Sequence, residues 1–135
     1  GRFSVKYLLV INFLIASGHT AHIHHGTAIA WIQSVRNKAA LFCTCAITEL
    51  GFVRVSVQSG LQDDVLAARK ALAALKASSP VRFELSADAL GANMLPGFAK
   101  TPDRLTDGHL SALAEAHGAE LVTFDKGIPG ALMLT

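Results

Sequence analysis

Polar residues stand where apolar stretches of this sequence end, and their types suit metal chemistry. Asn12 follows the first stretch, and Glu49 lies a few residues beyond the second. Asp107 opens a later helical pattern, and Asp125 closes the segment Leu-Val-Thr-Phe-Asp. Carboxylates that meet in one cleft repel one another unless a divalent cation neutralises them, and Mg²⁺ or Mn²⁺ prefers oxygen ligands. If the fold brings these residues together, they predict a divalent-metal site.

Each of these residues also has an ordinary structural interpretation, which the sequence leaves open. Asp107 stands in a first helical turn, where the helix dipole favours an acid. Asp125 opens the turn Asp-Lys-Gly-Ile-Pro-Gly, Glu49 fits an exposed helix position, and Asn12 fits a cap. The elements of the fold therefore decide between the two interpretations.

The chain alternates short apolar runs with helical patterns. Strand-length runs with β-branched or aromatic content are predicted at 5–11, 39–44, 81–85 and 120–124, with a weaker fifth at 131–135. Helices are predicted at 26–36, 46–58, 61–77 and 106–117. The last helix is expected to begin with Thr106 as N-cap and to stop at Gly118.

Such alternation predicts an α/β fold with a parallel sheet covered on both faces. Ligands of these folds gather outside the carboxyl ends of the strands, which is where the polar residues stand. We predict one domain over residues 5–135 and interpret residues 1–4 as an expression remnant or a frayed extension. The first apolar run covers only about ten residues, so it is too short to cross a bilayer.

Composition narrows the class of protein. About half of the 135 residues are apolar, which is enough for one well-filled core. The net charge of +2 and the lack of a basic run predict that any nucleic-acid binding is local. Cys43 and Cys45 stand too close in sequence for a good disulfide, so they are expected to be reduced core thiols of a cytoplasmic protein.

A cluster of four histidines, His19, His22, His24 and His25, raises a second metal hypothesis. Zinc sites use imidazoles, but no cysteine or carboxylate accompanies this cluster. A surface loop that contacts RNA or a partner is the favoured interpretation. The aromatic side chains are expected to pack in the core or at an interface: Trp31, Phe42, Phe52 and Phe83.

Three sequence blocks resemble those of PIN domains, and most of all the VapC-type toxins of bacterial toxin-antitoxin pairs. The blocks are Tyr-Leu-Leu-Val-Ile-Asn-Phe-Leu-Ile-Ala at 7–16, Cys-Ala-Ile-Thr-Glu-Leu-Gly-Phe-Val-Arg-Val at 45–55, and the segment 105–128 with its Leu-Thr-Asp and Thr-Phe-Asp motifs. The resemblance spans residues 5–130. It implies a three-layer α/β/α fold with a five-stranded parallel sheet and Mg²⁺-dependent endonucleolytic cleavage of RNA.

The resemblance also implies roles for particular residues. Glu49, Asp107 and Asp125 match the second, third and fourth acids of the family and would bind Mg²⁺ or Mn²⁺, with Asp107 as a direct ligand. Asn12 and Thr123 match polar residues that orient ligands and water. Arg54 lies beyond Glu49 on the same helix and would contact a substrate phosphate or pair with one of the acids; the two roles are weighed equally.

The sequence departs from the family at its first metal-binding position. Where the family has Leu-Leu-Asp-x-Asn, this chain has Val10 two residues before Asn12. An engineered or accidental change, a natural loss, or partial replacement by Asn12 and water would each account for it, and the first is slightly favoured. The expected function is an RNA endonuclease that Val10 disarms or weakens, and the alternative is an inactive PIN domain that binds RNA or an antitoxin. The resemblance further implies a cognate antitoxin, whose tail enters the acidic cleft, and a homodimer.

Overall fold

The computed structural model describes residues 5–135, so the predicted remnant or extension at residues 1–4 lies outside the described part of the chain. Five strands alternate with helices: β1 Val5–Leu9, α1 Ile11–Gly18, α2 His25–Val35, β2 Ala40–Thr44, α3 Ala46–Gln58, α4 Val65–Ser78, β3 Arg82–Leu85, α5 Leu105–Ala116, β4 Glu120–Thr123 and β5 Leu132–Met133. Two short 3₁₀ turns, Ala92–Met94 and Pro102–Arg104, precede α5.

The strands form one parallel sheet in the order β3-β2-β1-β4-β5. Leu8 of β1 pairs with Cys43 of β2 on one side and with Leu121 of β4 on the other. Helix α1 packs against α2, α3 and α4, whereas α5 packs against β1 and β4. The predicted three-layer α/β/α fold with a five-stranded parallel sheet is therefore confirmed.

The central strands are buried because helices cover both faces of the sheet. Every residue of β2 is buried, including the polar Thr44 at its end, as its largely apolar sequence favours. Phe13, Phe42 and Phe52 are fully buried and fill the core. Cys43 and Cys45 are free and buried, in agreement with their prediction as core thiols.

Strand β1 runs almost directly into α1, and Val10 alone separates the two elements. The backbone N–H of Val10 donates to Val122 of β4 at 3.2 Å, and its carbonyl accepts the N–H of Leu14 at 3.0 Å. The same residue thus ends the sheet ladder and starts the helix. Asn12 consequently lies in the first turn of α1, in contact with the end of β4.

Two helix starts differ from the sequence prediction. Helix α4 begins at Val65 because the Asp64 carboxylate accepts the N–H of Ala67 at 2.8 Å and caps it. The prediction of Thr106 as the N-cap of α5 was wrong: the 3₁₀ turn continues directly into the helix, which places Thr106 inside its first turn. Gly118 follows α5 with φ +64°, as expected of a left-handed terminator.

Among residues 5–135, no helix combines the length and apolar character that a membrane crossing requires.

Candidate functional site

A pocket of about 340 Å³ opens at the carboxyl edge of the sheet. Its walls are largely apolar and its polar groups are few: it is lined by Val10, Ile11, Asn12, Ile15, His22, Val55, Thr106, Asp107, Leu110 and Asp125. We call this the acidic pocket. It gathers three of the four polar residues that the sequence predicted to meet at this edge, namely Asn12, Asp107 and Asp125.

The two carboxylates reach the acidic pocket from different elements. Asp107 lies in the first turn of α5, and Asp125 lies two residues beyond the end of β4. Burial, followed by the charge of Asp125, raises the pKa of Asp107, and the Arg104 guanidinium opposes that rise. The charge of Asp125 therefore disfavours the charged form of Asp107, which is an effect that a bound cation would relieve.

Asn12 holds the segment that carries Asp125. Its amide Nδ2 donates to Thr123 Oγ1 at 3.3 Å, and its Oδ1 accepts the N–H of Phe124 at 3.2 Å. Thr123 Oγ1 also accepts the N–H of Asp125 at 2.9 Å. These contacts join the start of α1 to the end of β4, as a positioning role for Asn12 and Thr123 requires.

Val10 lines the acidic pocket at the N-cap position of α1 and is only 5% exposed. Its isopropyl group offers the pocket no oxygen and gives the first N–H groups of α1 no acceptor. A carboxylate at this position would stand at both the pocket and the helix start. The departure from the family pattern thus removes a negative charge from the place where Asp107 and Asp125 meet.

Glu49 lies outside the acidic pocket. Its Oε2 accepts hydrogen bonds from Thr44 Oγ1 and from Lys76 Nζ, each at 2.5 Å. It lines a separate pocket between α3 and α4, together with Leu50 and Lys76. The structure therefore does not bring the predicted second acid together with Asp107 and Asp125.

The orientation of α3 explains the position of Glu49. Val55 lines the acidic pocket, and the backbone of Gly51, one turn earlier, lies against Ile11, another lining residue. A Cβ atom built on Gly51 would come within 2.2 Å of Ile11 Cδ1. Glu49 is two residues from Gly51 and so lies about 200° around the helix. The face of α3 towards the pocket carries no carboxylate.

Arg54 is exposed and directly precedes Val55, so it stands beside the acidic pocket without lining it. Its two suggested roles, phosphate contact and ion pairing, stay predictions. The aromatic residues pack as expected, since Phe42 and Phe52 are buried and Trp31 and Phe83 are partly buried against the core.

Arg104 was not recognised in the sequence. Its Nη2 donates to the carbonyl of Gly127 at 2.5 Å, and its guanidinium lies 5.1 Å from the centre of the Phe98 ring. Arg104 thus connects the turn before α5 to the loop after β4 and supplies positive charge near Asp107. Its place in a Gly/Pro-rich loop gave no periodic signal; only its position three residues before Asp107 pointed to the site.

The four histidines of the cluster have different environments. His19 is buried and His25 is partly buried, and their rings contact carbonyls of α1. His24 is exposed and stacks on Phe124, with ring centres 4.9 Å apart, whereas His22 lines the acidic pocket. Within residues 5–135, no three His, Cys, Asp or Glu side chains are grouped so as to hold a metal ion. Thr20, Ala21, Ile23 and His24 are exposed, so this segment is a surface loop as predicted. Its contact with RNA or a partner stays a prediction.

Comparison with known proteins identifies the family of the chain. The sequence profile of the PIN domain family matches residues 7–130. The chain is 35% identical over 127 residues to Ribonuclease VapC38 of Mycobacterium tuberculosis (strain ATCC 25618 / H37Rv), which covers 90% of this chain and 86% of that protein. It is 34% identical over 122 residues to Ribonuclease VapC29 of the same strain, with the same coverage.

Solved structures share the fold. A crystal structure of Mycobacterium tuberculosis VapC20, described as a sarcin-ricin loop cleaving toxin, superposes with a TM-score of 0.64 at 16% identity and covers 96% of this chain and 99% of that one. The protein PAE2754 of Pyrobaculum aerophilum gives a TM-score of 0.60 at 21% identity, covering 97% and 90% of the two chains. With the profile match across nearly the whole described chain, the protein belongs to the PIN domain family, among its VapC-type members.

Proposed function

We propose that this protein is a metal-dependent RNA endonuclease of the VapC toxin type, weakened by Val10. One observation carries the proposal: two carboxylates from separate elements, Asp107 and Asp125, face one pocket at the carboxyl edge of a parallel sheet. Ligand sites of open α/β sheets lie at this edge. The names of the relatives support the choice of RNA as substrate.

The residues of the acidic pocket fit Mg²⁺ or Mn²⁺. Mg²⁺ is commonly held by one or two carboxylates and keeps several of its water molecules, so Asp107 and Asp125 suffice as direct protein ligands. Burial and then the charge of Asp125 raise the pKa of Asp107, and a bound cation would stabilise its charged form. Glu49 takes no direct part in this proposal, because Lys76 and Thr44 already engage it.

The reaction is hydrolysis of an RNA phosphodiester. Water adds to phosphorus in line with the departing 3′-oxygen, the P–O3′ bond breaks, and the products are a 5′-phosphate and a 3′-hydroxyl. A bound divalent ion supplies charge neutralisation at the phosphate and a more acidic water. Asn12 and Thr123 hold the Asp125 backbone in place, while the apolar walls of Ile15 and Leu110 limit competing solvent.

Val10 sets the level of activity in this proposal. With an isopropyl group where the family has a carboxylate, the acidic pocket has one negative charge fewer with which to retain the ion. The second candidate function follows from the same observation: a PIN domain without catalysis that binds RNA or an antitoxin. Val10 favours it because a site can lose its ion and keep its shape.

Family membership supports a proposal for the partners and the location of the protein. We propose a cognate antitoxin whose tail reaches the acidic pocket, with an Arg guanidinium as the group best suited to two unneutralised carboxylates. A homodimer and a cytoplasmic location complete the proposal.

A cleavage assay with Mg²⁺ on a panel of structured RNAs tests the function. The change Val10→Asp is expected to raise the rate, and Asp107→Asn in that background is expected to lower it by more than about hundredfold, because metal-assisted charge stabilisation is worth several kcal/mol. Val10→Asn has nearly the same shape as Val10→Asp without the charge, and Asp63→Asn removes an exposed acid outside the pocket.

The products should carry 5′-phosphates, which a phosphate-dependent exonuclease detects. If the Val10→Asp protein cuts no RNA while it binds Mg²⁺, the nuclease proposal is wrong and the binding-module alternative replaces it. If Asp63→Asn lowers the rate as much as Asp107→Asn, the assignment of the acidic pocket is wrong.

A further inference from the structure

His22 is the one member of the histidine cluster that lines the acidic pocket. It belongs to the loop between α1 and α2, outside the sequence block that contains Asp107 and Asp125. No role for it follows from the metal-binding carboxylates alone.

The loop that carries His22 is fixed at both ends by the neighbouring histidines. His19 Nδ1 lies 2.9 Å from the carbonyl of Ile15, and His25 Nδ1 lies 2.9 Å from the carbonyl of Ala16. A carbonyl can only accept, so both rings donate from Nδ1. These contacts satisfy carbonyls in the last turn of α1, which have no partner within the helix. His19 and His25 thus have a structural function.

The backbone of His22 is held within this frame. Its N–H donates to the carbonyl of His19 at 3.1 Å, and its own carbonyl accepts the N–H of His25 at 3.0 Å. The side chain is fixed as well, because His22 Nδ1 lies 3.0 Å from the backbone nitrogen of His24. The position of the ring is therefore set before any ligand arrives.

The hydrogen bond from His24 also decides which nitrogen of His22 carries the proton. A backbone N–H can only donate, so Nδ1 must offer its lone pair, and the proton of the neutral ring stands on Nε2. Burial, followed by the nearby histidine rings, lowers the pKa of His22, which favours this neutral form. The ring consequently presents one fixed donor, Nε2–H.

We infer that His22 is a substrate-binding residue, whose Nε2–H donates to an oxygen of the RNA backbone held in the acidic pocket. The inference rests on the proposed function. The pocket holds two carboxylates that can only accept hydrogen bonds when ionised, so a phosphodiester, which also only accepts, needs other donors. His22 is one of three lining residues that can donate, with Asn12 and Thr106. His22 supplies a preorganised donor without adding a charge that would compete with the cation for the acids.

Equilibrium binding tests the inference. Fluorescence anisotropy of a fluorescein-labelled single-stranded RNA of mixed sequence, with Ca²⁺ as the cation, measures Kd for the whole chain. His22→Ala is expected to raise Kd about tenfold, because a hydrogen bond to a charged oxygen is lost. His22→Gln retains an N–H donor and should stay near the unchanged protein. His117→Ala removes a ring that contacts the carbonyl of Ala87, outside the pocket, and should leave Kd unchanged.

A second measurement does not depend on a variant. In ¹⁵N-edited spectra of the unchanged protein, the neutral His22 ring should show protonated Nε2 and unprotonated Nδ1, and added RNA should shift the Nε2 signal. Signals of His117 should stay in place.

The outcomes separate this inference from the proposed function. If the Val10→Asp protein cleaves RNA while His22→Ala binds RNA as tightly as the unchanged protein, only the role of His22 is wrong. An unmoved Nε2 signal at saturating RNA has the same meaning. If Val10→Asp cuts no RNA and the unchanged protein binds none, the proposed function and the role of His22 are both wrong.

Discussion

Replacing Val10 by Asp adds a third carboxylate to the acidic pocket without changing the backbone. Position 10 already has the extended backbone of an N-cap, with φ −77° and ψ 171°, so an Asp side chain can accept an N–H of the first turn of α1. The same side chain faces Asp107 and Asp125 across the pocket. Helix capping and charge repulsion therefore change together.

The three contributions to stability have different signs. Loss of the buried valine costs about 2 kcal/mol, since its side chain is only 5% exposed. The new cap contributes about 1 kcal/mol in favour of folding. Repulsion from the two neighbouring carboxylates costs on the order of 2 kcal/mol at an effective dielectric constant of about 20. In EDTA we expect Val10→Asp to lower the free energy of unfolding by about 3 kcal/mol.

Magnesium should reverse most of that loss. An ion present at about one hundred times its Kd stabilises the folded state by about 2.7 kcal/mol, and three carboxylates hold it more tightly than two. The assay is urea unfolding of three proteins, with Val10, Val10→Asp and Val10→Asn, each in EDTA and in Mg²⁺. Val10→Asn gains the cap without the charge, so it should lose only about 1 kcal/mol and respond little to Mg²⁺.

The comparison of Asp with Asn at position 10 isolates the effect of the added charge. Equal losses in EDTA and equal responses to Mg²⁺ would mean that the side chain at position 10 does not interact with Asp107 and Asp125. In that case the acidic pocket as described would not be the metal site.

Three further predictions concern the surroundings of the acidic pocket. Gly108→Ala should lower the free energy of unfolding by about 1–3 kcal/mol, because the added Cβ would lie 2.5 Å from Ala99 Cβ, and Ala99→Gly should restore it. The His109 ring lowers the pKa of Asp88 through a hydrogen bond. This contact therefore stabilises the fold above pH 3.8, and the effect is lost as the pH falls below that value. Asp88→Asn should lower the free energy of unfolding by less than about 1 kcal/mol at neutral pH and leave it unchanged in strong acid. The pKa of Asp107 is raised above 3.8, so its charge destabilises the fold at neutral pH, and Asp107→Asn should raise the urea midpoint in EDTA at neutral pH but not well below pH 3.8.

Much of the fold could be predicted because its signals are local. Unbroken apolar runs predicted the buried strands, and the alternation with helices predicted the parallel sheet and its ligand edge. The start of α5 could not be predicted from Thr106, because Pro102 begins a 3₁₀ turn that leads into the helix without a break. The preceding turn, and not a capping side chain, determines where this helix starts.

Strand ends made part of the site predictable. Asn12 and Asp125 follow parallel strands, and the strand direction determines at which edge of the sheet they lie. Their proximity could therefore be predicted from the topology. Glu49 stands on a helix, and its distance from the helix start does not tell which way the helix is rotated. That rotation depends on the packing of Gly51 against Ile11, a contact between residues far apart in sequence.

The amide of Asn12 bonds to a hydroxyl 111 positions later in the chain, on Thr123. During synthesis on the ribosome, the first helix is complete long before its distant partner has left the exit tunnel. Until β4 and the residues after it emerge, a nascent chain has neither the Asn12 to Thr123 bond nor the Asp125 carboxylate, so the pocket has only one of its two acids. The site is therefore among the last features of the protein to form, and a truncated chain that lacks β4 would lack it altogether.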